Sequence, residues 1–348
     1  MTDEPGRPEG NGESAGVPLT RKDAAQGRSA SPSTDPAAAL QAQIRAARSD
    51  FEHKVEHARS EFDEVNERIK ERTGRDLIVA TLIGLAIGAT LVGSLVFFSW
   101  LFVFLALAAA LLAVFELGRA LTTSGRRVDV VPQLIAAGAL ILSGFFLDLW
   151  LHWVLVFVAV AFVISWRLVA QMAARDGRTY GDVLADVLTA GFVQLYVPFL
   201  TSMTMILVRQ DHGEWWVLAF IIVVVASDTG AYASGLTFGR TKMAPRISPN
   251  KTWEGFAGAA VAATVAGVLV GMFMLGIHWW MGAILGIVVL ATATVGDLGE
   301  SMIKRDMGIK DMSSWLPGHG GVLDRLDSIL PSAVVALALY FLFTPWMA

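Results

Sequence analysis

The sequence predicts an all-α polytopic membrane protein, and three observations carry that reading: the composition, a succession of apolar runs of spanning length, and the placement of the cations around them. Hydrophobic residues make up 54% of the 348 and charged residues only 17%, with a mean hydropathy of +0.55. That balance lies outside the soluble range and makes the bilayer the expected solvent. A net charge of -4 gives no global field that would draw nucleic acid, so no nucleic-acid partner is expected and the basic residues are read by position. With no cysteine in the chain, disulfides, thiolate nucleophiles and Cys-ligated metal sites are excluded.

Residues 1–35 are rich in Pro, Gly, Ser, Ala and charge, a composition that buries too little apolar surface to offset chain entropy, and they are expected to be disordered. The first 76 residues hold no long apolar run. No cleavable signal peptide is therefore expected, and the first hydrophobic segment is expected to direct insertion with the N-terminus inside. Within residues 36–76, Leu40, Ile44, Ala47, Phe51, Val55, Ala58, Phe62, Val65 and Ile69 recur in steps of three and four with charged residues between them. This spacing predicts an amphipathic helix, and its repeat at eleven differs from a left-handed heptad seam. A membrane surface, another protein, or an exposed or self-associating stalk all suit such a stripe.

From residue 77 to the end the chain reads as a transmembrane domain of about nine spans, approximately 77–95, 98–117, 130–147, 150–170, 188–208, 215–235, 254–276, 279–297 and 328–346. Each is near the ~20 apolar residues that cross a hydrocarbon core. The pairs Gly84/Gly88 and Gly267/Gly271 predict close helix packing. With the N-terminus inside, the inner connections hold fourteen Lys and Arg residues and the outer ones only Arg209, which orients the domain by the positive-inside rule. Trp150, Trp153, Trp215, Trp216, Trp279, Trp280 and Trp346 fall at the predicted outer ends, as an aromatic belt should. The expectation is a multi-pass protein of the cytoplasmic membrane, C-terminus outside, with its polar cavity facing the cytoplasm.

Ionisable groups at the ends of apolar spans are expensive and mark candidate sites. Asp228 follows the run Ile221–Ala226, and Asp297 closes the eighth span in T-V-G-D-L-G-E-S. Either alone suits a helix cap as well as a site. On a helix continuing past Asp297, Glu300, Ser301 and Lys304 share its face. Further on, L-P-G-H-G-G-V-L-D-R-L-D offers backbone that approaches a ligand closely, followed by Asp324 and Asp327 at helical spacing. Between the sixth and seventh spans, G-L-T-F-G-R-T-K-M-A-P-R-I-S-P-N-K-T-W-E-G carries four cations, the hydroxyls of S-P-N-K-T and turn-fixing prolines. For Arg240 and Lys242 an ordinary positive-inside loop is an open alternative, whereas Lys251 is read as a phosphate contact. Several carboxylates, many cations and glycine-rich backbone suit a nucleoside triphosphate with a hard cation such as Mg²⁺, beside an anionic lipid entering from the leaflet.

The residues Ser301 to Asp327, S-M-I-K-R-D-M-G-I-K-D-M-S-S-W-L-P-G-H-G-G-V-L-D-R-L-D, resemble the signature of the phosphatidate cytidylyltransferases, the CDP-diacylglycerol synthases. S-P-N-K-T-W-E-G at 248–255, S-D-T-G-A-Y at 227–232 and G-D-L-G-E-S at 296–301 resemble further motifs of that family, in its order. The likeness covers about residues 77–348 and is strongest over 227–328; the N-terminal tail and helix depart from it and have no assigned role. The resemblance implies transfer of CMP from CTP to phosphatidic acid, yielding CDP-diacylglycerol and pyrophosphate, with Mg²⁺ held by Asp297 and Asp324. Asp327 is a further ligand candidate, and a second metal ion stays open. Asp297, Asp324, Lys304 and Ser301 are then the catalytic candidates. Lys251, Lys304, Arg305, Lys310 and Arg325 are assigned to phosphates, and Ser248, Ser301 and the backbone around Gly320 and Gly321 to orientation. Asp228 either shapes the cavity or contacts the nucleotide. His319 either donates to the leaving pyrophosphate or is structural. Two other readings stay open, a CTP-dependent kinase of a polyprenol or other lipid, and a secondary transporter, as do a homodimer and the acyl-chain preference.

Overall fold

In a computed structural model of the chain, Arg48, residues 77–174, 177–313 and 320–346 are described. The expected disordered tail and nearly all of the amphipathic helix lie outside the described residues. Met1–Val65 forms one unit and Asn66–Ala348 a second, and the transmembrane region belongs wholly to the second.

That second unit is built of helices: α1 Leu77–Phe97, α2 Ser99–Thr123, α3 Val130–Phe146, α4 Leu149–Ala173, α5 Tyr180–Gln194, α6 Leu200–Val208, α7 Gly213–Phe238, α8 Trp253–Phe273, α9 Trp279–Asp306, α10 Leu323–Leu326 and α11 Ile329–Phe343. The expected polytopic all-α architecture is what the chain adopts. Among the described residues seven helices are long and apolar enough to cross a membrane, and Gly84–Phe97 and Val130–Phe146 are shorter apolar helices. The expected count of nine spans is therefore not established.

One boundary moved and one expected span is interrupted, each for an identifiable reason. The helix expected from 188 starts at Tyr180, because Thr179 and Asp182 form a reciprocal capping box that satisfies the first orphan amides. A π-helical turn, Leu195–Phe199, then links α5 to α6 around Pro198, whose missing N–H breaks the α-helical ladder. The segment between α7 and α8, read as a loop, contains a hairpin, β1 Lys242–Ala244 and β2 Ser248–Thr252. The strands are antiparallel, with Lys242 opposite Thr252 and Ala244 opposite Ser248. Its sequence lacks the apolar alternation that announces a strand.

Glycines set the spacing of the helices that carry the polar residues. At Gly230 of α7 a Cβ would lie 2.6 Å from Ala262 Cβ of α8, and at Gly271 of α8 one would lie 2.9 Å from Gly282 Cα of α9. The α7–α8–α9 layer is thus packed backbone against backbone, as small residues permit in a membrane. Gly267 and Gly271 meet that expectation, but Gly88 faces open space. The tryptophan belt is also corrected at one member. Trp150, Trp279 and Trp346 are exposed, but Trp216 is fully buried in the core, edge-on to Tyr340 at 5.6 Å between ring centroids.

Candidate active site

The polar residues gather at one end of the bundle, where α7 and α9 finish and α10 begins. The hairpin is fixed there by its own ends. Glu254, in the first turn of α8, accepts from the amides of Arg240 and Thr241, each at 3.1 Å, and Trp253 N donates to Thr241 O at 2.9 Å. Thr252 caps α8 by accepting from Gly255 N at 3.1 Å. Arg305, near the end of α9, donates through Nε to Ile247 O at 3.3 Å, tying the hairpin tip to that helix. These bonds set Lys251 of β2 against Asp297 of α9 in an ion pair. Ser301 Oγ donates to the other oxygen of Asp297 at 3.4 Å. Lys251 and Asp297 line a pocket of about 200 Å³ with Asp228 and Tyr232 of α7, Asn250 of β2 and Thr294 of α9. Asp228 is exposed to that pocket and within electrostatic reach of Asp297, Lys251 and Arg325.

The second half of the site is organised by Lys304. Its ammonium pairs with Glu300, one turn back on α9, and with Asp324 Oδ1 at 2.9 Å. Glu300 is fully buried. Asp324 also accepts from Met312 N at 3.1 Å and Gly321 N at 2.8 Å, so one carboxylate closes both ends of the glycine-rich connection. Gly320 lies in the left-handed region at φ +83, where a Cβ would stand 3.0 Å from Asp324 Oδ2; only glycine accepts both conditions without strain. Asp327 accepts from Ser328 N at 2.6 Å. Its backbone lies so close to Gly296 that a Cβ on that glycine would meet Asp327 O, which brings the neighbourhoods of Asp297 and Asp327 together.

Most of the expected site residues are thus assembled: Asp228, Lys251 and Asp297 at the pocket with Ser301 bonded to Asp297 behind it, and Lys304, Asp324, Asp327, Gly320 and Gly321 at the loop. Others stand apart. Ser248 is half-buried on β2 but is not among the residues lining the pocket, Lys310 is exposed beyond α9, and Arg305 engages the hairpin backbone. Arg325 is exposed on α10 within reach of Asp228. His319 lies outside the described residues.

Two residues escaped the sequence reading. Glu116 of α2, 2% exposed, accepts from Ser313 Oγ at 2.5 Å, Val322 N at 3.1 Å and Leu323 N at 3.0 Å. It ties both ends of the glycine-rich connection to α2. The signal was present, a carboxylate inside an apolar span with no charged neighbour before it. Tyr196 sits in the π-turn with its hydroxyl buried and unpartnered, within electrostatic reach of Glu300, Asp327 and Asp297. No local sequence pattern marks that position.

Breaking the Lys304 pair tests this arrangement. Lys304→Met leaves Glu300 buried without its counter-charge, and the expected loss is about 3 kcal/mol, read as a lower melting temperature of the detergent-solubilised chain. An unchanged melting temperature would mean that Glu300 carries no charge to be compensated.

Among the described residues no three His, Asp or Glu side chains already converge as a metal cluster. The chemistry of the site nevertheless suits a hard cation. Among the described residues Asp228, Asp297, Asp327, Glu300 and Asp324 form a chain of electrostatic neighbours, with Lys251, Lys304 and Arg325 as cations among them. The cluster is rich in carboxylate oxygens, and Tyr196 Oη and Glu300 Oε1 are buried there without hydrogen-bond partners. Oxygen donors with unused capacity fit Mg²⁺ or a similar ion.

Comparisons with known proteins bear on the same region. Residues 78–343 match the model of the cytidylyltransferase family. A phosphatidate cytidylyltransferase of Mycobacterium bovis is 41% identical over 278 residues, 76% of this chain and 88% of the relative. One from Mycobacterium leprae is 41% identical over 281 residues, again 76% and 88% of the two chains. One from Haemophilus influenzae is 44% identical over 137 residues, 38% of this chain and 47% of the relative.

Proposed function

The chain belongs to the phosphatidate cytidylyltransferase family, and from that premise we propose that it transfers CMP from CTP to phosphatidic acid at the carboxylate- and lysine-lined end of its bundle. The observation that carries the assignment of the site is the Lys251–Asp297 pair facing Asp228 across one pocket, with α7, the hairpin and α9 each contributing one of the three.

A phosphate monoester oxygen of the lipid attacks the α-phosphorus of CTP in line; the bond from that phosphorus to the β-phosphate oxygen breaks, and pyrophosphate leaves. The attacking oxygen is already largely ionised near neutral pH, because the second pKa of a phosphate monoester is about 6, so a general base is not required. The chain's work is alignment and charge neutralisation. Lys251 and Lys304, each held by carboxylates at the edge of the site, neutralise phosphate oxygens, and Arg325 adds charge on the α10 side. Ser301 orients Asp297, and Asp324 holds the backbone of Gly321 and Met312. Asp297 and Asp327, with Asp324 completing the set, are the residues that would hold Mg²⁺. When bound, that ion supplies neutralisation of the nucleotide's phosphate charge. The site lies on the cytoplasmic side in this reading, where CTP is available.

Purified chain in detergent, given CTP and Mg²⁺, is expected to release pyrophosphate only when phosphatidic acid is added. A lipid kinase would release CDP instead, so CDP with a polyprenol and no pyrophosphate would overturn the proposal.

A further inference from the structure

Apart from the polar pocket, the bundle contains an apolar groove of about 390 Å³ between α1, α2, α6, α7 and the start of α11. That size falls within the range of small-molecule and lipid sites. We infer that this groove receives an acyl chain of the lipid whose phosphate reacts at the polar site, and that its width sets which chains are accepted. The inference rests on the proposed function and adds the part of the substrate that function leaves unplaced.

Three observations point to this occupant. First, Leu326, Ile329 and Leu330 line the groove and bracket Asp327, a member of the carboxylate group. The rim of the groove and the polar site are therefore the same short segment. Second, Phe220 and Ile221 of α7 line the groove, whereas Ser227 and Asp228 line the polar pocket. Each pair is separated by seven residues, two turns of one helical face, so the groove begins about 10 Å deeper along the same stripe. A molecule bound at both levels has an anionic head at one end and an apolar tail running toward the middle of the bundle, which is the shape of a lipid phosphate. Third, the groove opens sideways. Ala86, Ile87 and Thr90 of α1 line it and are exposed, Ile87 by 47%, whereas Ser94 and Leu95 further along α1 are buried. The opening lies on an exposed apolar side of α1, where Leu85 and Ile87 are exposed, a surface suited to lipid contact, so in this inference a chain enters from the membrane without crossing the polar pocket.

Filling the groove separates this inference from the reaction itself. Ala86→Phe on α1 and Ala109→Phe on α2 each place a ring in the groove, from its exposed and its half-buried wall. For each variant and the wild type, kcat/KM is measured with dioleoyl and with dihexanoyl phosphatidic acid in the same detergent, alongside the melting temperature. The expected result is that the ratio of dioleoyl to dihexanoyl kcat/KM falls at least about tenfold in both variants, the effect of withdrawing roughly two methylenes from burial. A parallel loss with both substrates, or no loss with either, would overturn the inference: the first makes the ring a general packing defect, the second makes the groove a place filled by bulk lipid. If the wild type turns over neither substrate, it is the proposed function that fails.

Discussion

Asp297→Asn is expected to lower CDP-diacylglycerol formation on the order of 10³-fold, with the protein still inserted and folded. The substitution keeps the volume of the side chain and removes one charge at the point where α9, β2 and the approach of Asp327 to Gly296 meet. Lys251 loses its partner but remains a quarter exposed, so its cost in stability is small beside the loss of a hard oxygen donor. Turnover of labelled CTP into lipid, with a melting curve on the same sample, checks both halves. Activity near wild type would remove Asp297 from the site's chemistry and leave it a helix-end polar group.

The second large effect is expected at a residue that need not touch substrate. Glu116→Ala deprives three donors of their acceptor, Ser313 Oγ and the amides of Val322 and Leu323. Stranded donors in a buried setting cost about 1 kcal/mol or more each, which puts the loss near 3 kcal/mol. The connection they belong to also carries Gly321 and Asp324, so its displacement by about 1 Å is expected to lower kcat by about 100-fold. Glu116→Gln retains one accepting oxygen and is expected to recover part of both losses. Equal kcat in Glu116→Ala and wild type would show that Asp324 alone fixes the connection.

The periodic and compositional features of this chain were legible in its sequence. Apolar runs of spanning length announce helices whatever they pack against, and the spacing from Asp297 to Ser301 and Lys304 places them on one face as soon as the helix is assumed to continue, which it does to Asp306. What escaped depends on tertiary partners. The hairpin has too little apolar alternation to be read as strands; it is held by Glu254 and Arg305, remote from its own strands' pattern. Trp216 has the sequence position of a belt residue, but its ring is claimed by Tyr340 of a helix more than a hundred residues away. Lys304 illustrates an intermediate case. Its proximity to Glu300 follows from the helix, whereas its bond to Asp324 requires α10 to lie against the end of α9. Glu116 was the most recoverable omission, because a buried carboxylate in an apolar span always needs donors.

The measurement that bears most directly on the carboxylate site is the binding of Mn²⁺, as a stand-in for Mg²⁺, followed by its electron paramagnetic resonance signal in the purified chain with and without CTP. The expected result is Mn²⁺ binding that strengthens when CTP is added and is lost in Asp297→Asn while the melting curve is retained. Mn²⁺ binding that is indifferent to CTP and unchanged by Asp297→Asn would contradict a metal–nucleotide site at this end of the bundle.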